Sequence, residues 1–295
     1  MGSLLAGEDI CLYCGYSSND ALKSGAAIDP QYNNQVKTVK PKSFSFFYQA
    51  MRSKMLIANS GGISYLPIRK KQIVINTWHG GGAYKKVGVA TRKDALSGKD
   101  TALTAKKTSY MLASSKVFKT FMAESMMLKL AQFIDSGMLR NDLFLYDYTE
   151  TISKVKKYYG IESQKKIVLY APTFRNQNND VLAKKITPNY SIDGVAAVNA
   201  LQEKFGGEFI FAVRLHPMIK GDKFVIDTDY YDFGDYPDMQ ELLCAADVLI
   251  TDYYSSMWDY SLTKKPCFLY ANDIYEYEKT RGFYTSVDSW PFSVI

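Results

Sequence analysis

Two histidines, the only two in a chain of 295 residues, follow apolar runs. His79 lies in QIVINTWHGGGAYKKVG (72–88), and His216 lies in FAVRLHP (211–217). Histidine has the unperturbed side-chain pKa closest to neutrality, so both residues are candidates for proton transfer. Either could instead be a core residue whose hydrogen bonds are satisfied. Their similar positions, at a strand end beside glycine or proline, favour an active site.

Other polar residues occupy equivalent positions in the second half of the chain. They lie at or just after the end of an apolar run and are Thr173, Arg175, Arg214, Thr251, Asp252, Ser255 and Ser256. The two serines open a predicted helix, and free N–H groups at a helix start bind phosphate. The serines or Asp252 could equally cap that helix, and Arg214 could form a surface ion pair. Arg214 and His216 are two residues apart on a strand and therefore share a face, which favours a common ligand.

The three glycines that follow His79 predict a tight turn with exposed main-chain N–H groups. Gly80 and Gly81 would allow the backbone to approach an anion closely, and Lys85 follows on a predicted helix. The spacing matches neither GxGxxG nor GxxxxGK[ST], the fingerprints of nucleotide-binding loops. By itself, therefore, the loop indicates only a candidate anion site.

These residues need elements that bring strand ends together, and the hydrophobic pattern predicts such elements. The predicted strands are 54–59, 72–78, 109–114, 166–172, 208–217, 247–252 and 266–270. The predicted helices are 115–132, 192–205, 238–246 and 255–264. Continuous apolar strands that alternate with helices predict parallel sheets covered on both faces. Ligands bind beyond the carboxyl ends of the strands in such sheets.

We predict an α/β chain with two Rossmann-like domains that face each other across a cleft. The boundaries are 1–145 for the first domain, 146–165 for a charged, tyrosine-rich helical linker, and 166–295 for the second domain. No obvious strand opens the first domain.

Composition limits the class of partner. The net charge of +6 favours anionic partners. No apolar run reaches the length of a transmembrane helix, the N-terminus is not typical of a signal peptide, and no nucleic-acid-binding motif is present. Cys11 and Cys14 have zinc-knuckle spacing but lack a second ligand pair, so reduced thiols are the favoured interpretation and no metal site is predicted.

Six short motifs carry a resemblance to a known family. They are NTWHG…KKVG, GMLRNDLF, LYAPTFR, RLHP, ITDYYSSMWDYSLTKKPCFLY and YEYEKTRGFY, and they span about residues 36 to 288. In this order the chain resembles the CDP-glycerol glycerophosphotransferases, which include teichoic acid polymerases and primases. The resemblance implies a GT-B architecture without a metal or other cofactor. It also implies a bacterial enzyme bound peripherally to the anionic cytoplasmic face of the cell membrane, acting on a lipid-linked glycopolymer.

The resemblance also implies a division of roles. The first domain would bind the acceptor, with His79 as the general base, and the second would bind CDP-glycerol or CDP-ribitol. His216, Arg214, Thr251, Ser255 and Ser256 would stabilise the charge that develops as CMP leaves, with Lys85 and Arg175 as further candidates. Gly80, Gly81, Thr173 and Asp252 complete the predicted substrate site. The LRND motif, Arg140 to Asp142, either belongs to the site or fixes the turn into the linker.

The chain departs from the family pattern in three places. Gly81, Gly82 and Ala83 replace the Thr-Pro-Leu of many members, the first 35 residues match poorly, and the chain stops at PFSVI. We therefore expect it to be truncated at both ends. Two other functions stay open: a GT-B sugar transferase that uses a nucleotide sugar, and an inactive remnant that binds glycopolymer.

Overall fold

The structure, a computed structural model, describes residues 12–15, 36–82, 84–91, 95–173, 192–215 and 229–295. Its strands are β1 (Leu12–Gly15), β2 (Val36–Val39), β3 (Met55–Ala58), β4 (Ile73–Asn76), β5 (Tyr110–Ala113), β6 (Phe133–Asp135), β7 (Lys166–Tyr170), β8 (Phe209–Val213), β9 (Tyr231–Asp232), β10 (Val248–Thr251), β11 (Cys267–Leu269) and β12 (Ser293–Val294). Its helices are α1 (Phe44–Arg52), α2 (Ala95–Lys107), α3 (Lys116–Ser125), α4 (Thr149–Tyr158), α5 (Gly194–Phe205), α6 (Met239–Ala245), α7 (Ser256–Tyr260) and α8 (Ile274–Arg281).

The strands form three sheets in which every strand pair is parallel. β1 pairs with β2, a four-stranded sheet has the order β3-β4-β5-β6, and a six-stranded sheet has the order β12-β11-β10-β7-β8-β9. We call β3–β6 with α1–α3 the first lobe, and β7–β12 with α4–α8 the second lobe. The prediction of parallel sheets is confirmed, because all seven predicted strands are present and their ends lie within four residues of the predicted ends.

The second lobe is built on strands that are apolar on both sides. Ile167 and Leu169 of β7 face one buried cluster with the helices α4, α6 and α7. Val168 and Tyr170, the alternating residues, face a second cluster that includes Leu201 of α5. Because side chains alternate across a strand, a sheet covered on both faces needs an unbroken apolar run, which the sequence has here.

Four elements differ from the sequence-based expectation. Lys85 does not lie on the predicted helix but forms an isolated antiparallel bridge with Phe283, and a 3-10 helix, Gly88–Ala90, follows it. The helix predicted over 115–132 ends at Ser125 because Met127 has a left-handed φ of 56°, and β6 follows soon after. A parallel pair, β1 with β2, precedes the first lobe, where no obvious strand was predicted. The predicted linker, 146–165, follows a 3-10 helix, Leu139–Leu145, and contains α4, which buries Val155 completely in the second lobe.

Each lobe contributes a tyrosine side chain that packs against the other lobe. Tyr84, which follows the glycine loop of the first lobe, is buried in the second lobe, and its hydroxyl donates to the carbonyl of Tyr253 at 2.6 Å. In return, Tyr284 stacks on Phe121 of α3 with ring centroids 4.6 Å apart. The N–H of Tyr284 donates to the carbonyl of Tyr84 at 2.8 Å, so the two exchanged segments are also paired.

None of the helices in the described part of the chain is long and apolar enough to cross a bilayer.

Candidate active site between the lobes

His79 sits on a turn that a buried asparagine stabilises. Asn76, the last residue of β4, accepts a hydrogen bond from the N–H of Trp78 at 2.9 Å and donates one to the carbonyl of Ser60 at 3.1 Å. Trp78 has a left-handed φ of 55°, a conformation that costs a non-glycine residue about 1–3 kcal/mol unless its surroundings enforce it. The turn therefore directs the chain out of the sheet at His79.

The ring of His79 is held in one orientation. Its Nδ1 lies 2.9 Å from the carbonyl oxygen of Asn59, and the ring stacks on Trp78 with centroids 4.7 Å apart. A carbonyl oxygen only accepts, so Nδ1 carries the proton and Nε2 of the neutral ring holds a free lone pair. The side chain is exposed. This arrangement suits a general base that takes a proton through Nε2.

The glycine loop presses against the start of α7 in the second lobe. A Cβ placed on Gly80 would lie 3.5 Å from Cβ of Ser255, in ordinary contact. On Gly81 it would lie 2.8 Å from Cβ of Trp258, and on Gly82 it would lie 2.7 Å from the Trp258 ring. Side chains at the last two positions would overlap with Trp258, so the glycines permit the approach of the two lobes. The structure thus brings the residue after His79 against Ser255.

Two predicted residues of the second lobe connect the carboxyl ends of its central strands. The hydroxyl of Thr251, which is fully buried, donates to the carbonyl of Ala171 at 2.6 Å. Oδ1 of Asp252, also buried, accepts from the N–H of Thr173 at 2.8 Å and from the N–H of Tyr253. These contacts fix the edge of the sheet to which Thr173 and the start of α7 belong.

Two buried hydroxyls at this edge are unsatisfied. Oγ1 of Thr173 and Oγ of Ser256 have no hydrogen-bond partner among the described residues. A buried hydroxyl without a partner costs about 1–3 kcal/mol, so such groups are rare and mark places where a ligand can bind. Ser255 occupies the N-cap position of α7, but its side chain makes no cap hydrogen bond.

Two of the predicted basic site residues, Arg214 and Lys85, lie within the described residues, and both contact other groups of the protein. Nη1 of Arg214 donates to the carbonyls of Phe233 and Tyr236 at 2.6 and 2.7 Å, and burial lowers the pKa of the guanidinium. At least one nitrogen of the Arg214 guanidinium group therefore stabilises the segment that follows β9. Nζ of Lys85 lies over the rings of Tyr84 and Tyr277, 5.6 and 5.3 Å from their centroids. His216, Arg175 and Cys11 lie outside the described residues, so their roles stay predictions.

A buried carboxylate that the sequence analysis did not name lies beside the glycine loop. Asp259 of α7 accepts two hydrogen bonds from Arg140, at 2.9 and 3.0 Å, one from Asn141 at 2.8 Å and one from Gln240 at 3.1 Å. Of the two interpretations of the LRND motif, these contacts favour the one that fixes the turn. The sequence feature that could have identified Asp259 is its position one helical turn after Ser255 in the same predicted helix.

The chain is also similar in sequence to known proteins over most of its length. The sequence profile described as CDP-Glycerol:Poly(glycerophosphate) glycerophosphotransferase matches residues 17–295. The chain belongs to this family. The resemblance that the six motifs indicated is therefore confirmed.

Two curated relatives illustrate the range of this glycerophosphotransferase family. A teichoic acid poly(glycerol phosphate) polymerase of Bacillus spizizenii is 30% identical over 267 residues, which are 85% of this chain and 65% of the polymerase. A teichoic acid ribitol-phosphate primase of the same organism is 28% identical over 232 residues, 76% of this chain and 58% of the primase. The chain thus spans less than two thirds of the length of either relative.

The fold of this family member has a counterpart of known structure. The wall teichoic acid polymerase TagF superposes with a TM-score of 0.74 at 20% sequence identity, covering 97% of this chain and 76% of the polymerase chain. This similarity confirms the predicted GT-B-like α/β fold with two parallel sheets.

Proposed function

We propose that the chain transfers glycerol phosphate, or a related polyol phosphate, from a CDP-alcohol to the hydroxyl end of a lipid-linked teichoic-acid-type or capsular glycopolymer. The observation that carries the proposal is the contact between Gly80, which follows His79, and Ser255 at the start of α7. It brings a base on the first lobe to the ligand-binding edge of the second lobe. Family membership and the names of the relatives support the substrate class.

The chemistry follows from the orientation of His79. The terminal hydroxyl oxygen of the acceptor attacks the β-phosphorus of the CDP-alcohol, and its proton passes to Nε2 of His79. A new oxygen–phosphorus bond forms as the bond from the β-phosphorus to the bridging oxygen breaks, and CMP leaves with that oxygen. A positioned base of this kind contributes about 10²–10⁴-fold to turnover. The carbonyl of Asn59, 2.9 Å from Nδ1, stabilises the imidazolium that forms.

The donor binds on the second lobe. The buried hydroxyls of Thr173 and Ser256 donate to phosphoryl oxygens, where hydrogen bonds to charge are worth about 1.5–3 kcal/mol each. Ser255 precedes Ser256 at the start of α7, and Asp252 accepts a hydrogen bond from the N–H of Thr173. His216 and Arg175 are the remaining candidates for stabilising the charge on the departing CMP.

The proposal includes no metal ion. The two carboxylates that are buried in the described part of the chain, Asp252 and Asp259, already accept hydrogen bonds from protein donors. Turnover is therefore expected to survive EDTA. Loss of turnover on chelation, restored by Mg²⁺ or Mn²⁺, would contradict this part of the proposal.

The first lobe carries a surface suited to an anionic membrane. Between residues 36 and 71 there is no aspartate or glutamate, while the basic residues are Lys37, Lys40, Lys42, Arg52, Lys54, Arg69, Lys70 and Lys71. On α1, Phe44 is 87% exposed and Tyr48 and Met51 are also exposed at helical spacing. Basic residues around an apolar helical stripe favour peripheral binding to anionic lipid. Because nucleotide-activated donors are cytoplasmic, we place the chain on the cytoplasmic face.

Vesicle sedimentation tests this surface. Phe44→Ser should reduce binding to phosphatidylglycerol vesicles, and salt should reduce it further. Tyr275→Ser, which changes an aromatic residue 74% exposed on α8 of the second lobe, is the matched control and should not. Equal loss in the two variants, or equal binding to neutral vesicles, would overturn the membrane assignment.

A donor competition tests the activity itself. The chain would be incubated with CDP-glycerol, CDP-ribitol and a nucleotide sugar, with a lipid-linked disaccharide as acceptor, and the products weighed by mass spectrometry. We expect CMP release and growth of the acceptor by polyol phosphate units. Transfer of a sugar would identify a glycosyltransferase instead. Binding of glycopolymer without any transfer would identify a binding remnant.

A further inference from the structure

A single carboxylate gathers three segments of the chain at the junction of the lobes. Asp259 of α7 receives Arg140 and Asn141 from the 3-10 helix Leu139–Leu145, and Gln240 from α6. The Asp259 side chain is 5% exposed, and that of Arg140 is 27% exposed. We call these four residues the Asp259 cluster.

The four hydrogen bonds that Asp259 accepts are divided equally between its two carboxylate oxygens. Oδ1 of Asp259 accepts from Nη2 of Arg140 at 3.0 Å and from Nδ2 of Asn141 at 2.8 Å. Oδ2 accepts from Nε of Arg140 at 2.9 Å and from Nε2 of Gln240 at 3.1 Å. A planar guanidinium that binds both oxygens of a carboxylate fixes the relative orientation of the two groups. The position and rotation of α7 are thereby defined from the connection between the lobes.

The same carboxylate touches the loop that carries His79. A Cβ on Gly81 would lie 3.0 Å from Oδ1 of Asp259, closer than nine in ten real Cβ contacts. Asp259 also lies four residues after Ser255, which is one turn of helix, so it belongs to the rigid unit that presents Ser255 and Ser256. The cluster thus contacts both the loop that carries His79 and the helix that carries Ser256.

We infer that Asp259 is a positioning residue that sets the distance between His79 and the hydroxyls of Ser255 and Ser256. This inference rests on the proposed function, because it assumes a transfer reaction that requires a defined distance between the acceptor base and the donor phosphates. A misplacement of about 1 Å can lower turnover about 10²-fold. The donor binds to the second lobe, and Asp259 shares α7 with Ser255 and Ser256, so loss of the cluster lowers donor affinity as well as turnover.

The test uses Asp259→Asn, which keeps the side-chain shape. Each oxygen accepts two hydrogen bonds, so an amide nitrogen at either position removes two of the four. The matched control is Leu201→Val, which weakens the buried cluster on the opposite face of the second sheet. Melting temperature, turnover of CDP-glycerol, donor affinity and the imidazole NMR signals are measured for both variants and the unsubstituted chain.

The histidine signals provide a readout that a purely structural role would not move. The chain holds two histidines, so labelled histidine gives two sets of imidazole signals, and His79→Ala identifies its own by loss. We expect Asp259→Asn to shift the His79 signals and lower turnover by about 10²-fold, a larger factor than the loss of donor affinity, because turnover also depends on the distance to His79. Leu201→Val should lower the melting temperature without either effect.

The outcomes separate this inference from the proposed function. Unmoved His79 signals in folded Asp259→Asn, or a loss of turnover that only follows the unfolded fraction, would overturn the inference. If the unsubstituted chain does not turn over CDP-glycerol, the proposed function fails, and the His79 signals alone decide whether Asp259 positions the loop. Should Asp259→Asn not fold, Arg140→Lys keeps the positive charge but removes the fork, and should shift the same signals in the same direction.

Discussion

The two lobes of this chain are constructed with different degrees of burial. In the second lobe, β10 is buried at every residue and β7 at all but the first. In the first lobe, the central strand β4 is buried only at alternate residues, Val74 and Asn76, and the central strand β5 is exposed at Tyr110. The second sheet has the largest apolar cluster on one face and a further cluster on the other, whereas one of the two clusters that support the first sheet has only four buried residues.

This difference explains where the candidate site obtains its rigidity. Thr173, Asp252 and Ser256 lie at the edge of the well-packed second sheet. His79 lies on an exposed turn of the lightly covered first lobe, and its loop is supported from the other lobe through Trp258 and Asp259. The donor side is therefore supported mainly by the second sheet, while the acceptor base depends on contacts between the lobes.

The largest difference should appear in core truncations of the two sheets. Leu249 of β10 is fully buried, so Leu249→Ala should cost about 2–5 kcal/mol in the free energy of unfolding. Leu56 of β3 is only half-buried, so Leu56→Ala should cost about 1–2 kcal/mol, since less apolar surface is lost. Urea denaturation measures both. Equal costs would show that the lobes do not differ in packing as described.

Glycine substitutions should have opposite signs at the junction and on the first lobe. Gly81→Ala places a methyl group 2.8 Å from Cβ of Trp258 and should destabilise the chain by about 1–3 kcal/mol. Gly98 lies within α2 with no atom within 4 Å of a Cβ, so Gly98→Ala should stabilise by about 0.5–1 kcal/mol. Thermal denaturation compares them. A neutral Gly81→Ala would contradict the close approach of the loop to α7.

The smallest effect concerns alkaline pH at the junction. Burial raises the pKa of Tyr84 well above its usual value, so the folded chain keeps a proton that the unfolded chain loses above about pH 10. The stability that Tyr84 contributes is thus complete below pH 10 and is lost as pH rises toward the folded pKa, by about 1.4 kcal/mol per pH unit. Tyr84→Phe should reduce this slope by one proton in urea titrations between pH 9 and 11. An unchanged slope would mean that Tyr84 is not buried between the lobes.

The sequence predicted the second lobe well because its signals are local. Unbroken apolar runs predict buried strands, and the polar residues after them predict which groups reach the sheet edge. The direction in which each of these polar side chains points was less predictable. Thr251 belongs to a strand buried on both sides, so no alternation of polarity indicates that its hydroxyl bonds to Ala171.

The contacts between the lobes could not be predicted, because they join residues far apart in sequence. Asp259 and Arg140 are separated by 119 residues, and Tyr84 and Tyr253 by 169. Similarly, the fork of Arg214 was expected to face a phosphate, whereas Nη1 binds the carbonyls of Phe233 and Tyr236, which the hydrophobic pattern does not position. Such contacts depend on how the two sheets pack together, which periodicity within either sheet does not encode.

The most direct test of the account separates donor binding from turnover at the two sides of the cleft. Calorimetry with CDP-glycerol and single-turnover kinetics would compare His79→Ala with Ser256→Ala. His79→Ala should bind the donor with unchanged affinity and lose about 10²–10⁴-fold in turnover, because only the base is removed. Ser256→Ala should weaken donor binding about tenfold or more, because a hydrogen bond to a phosphate is lost. If His79→Ala loses donor affinity as Ser256→Ala does, or if both keep full turnover, the assignment of base and donor site to opposite lobes is wrong.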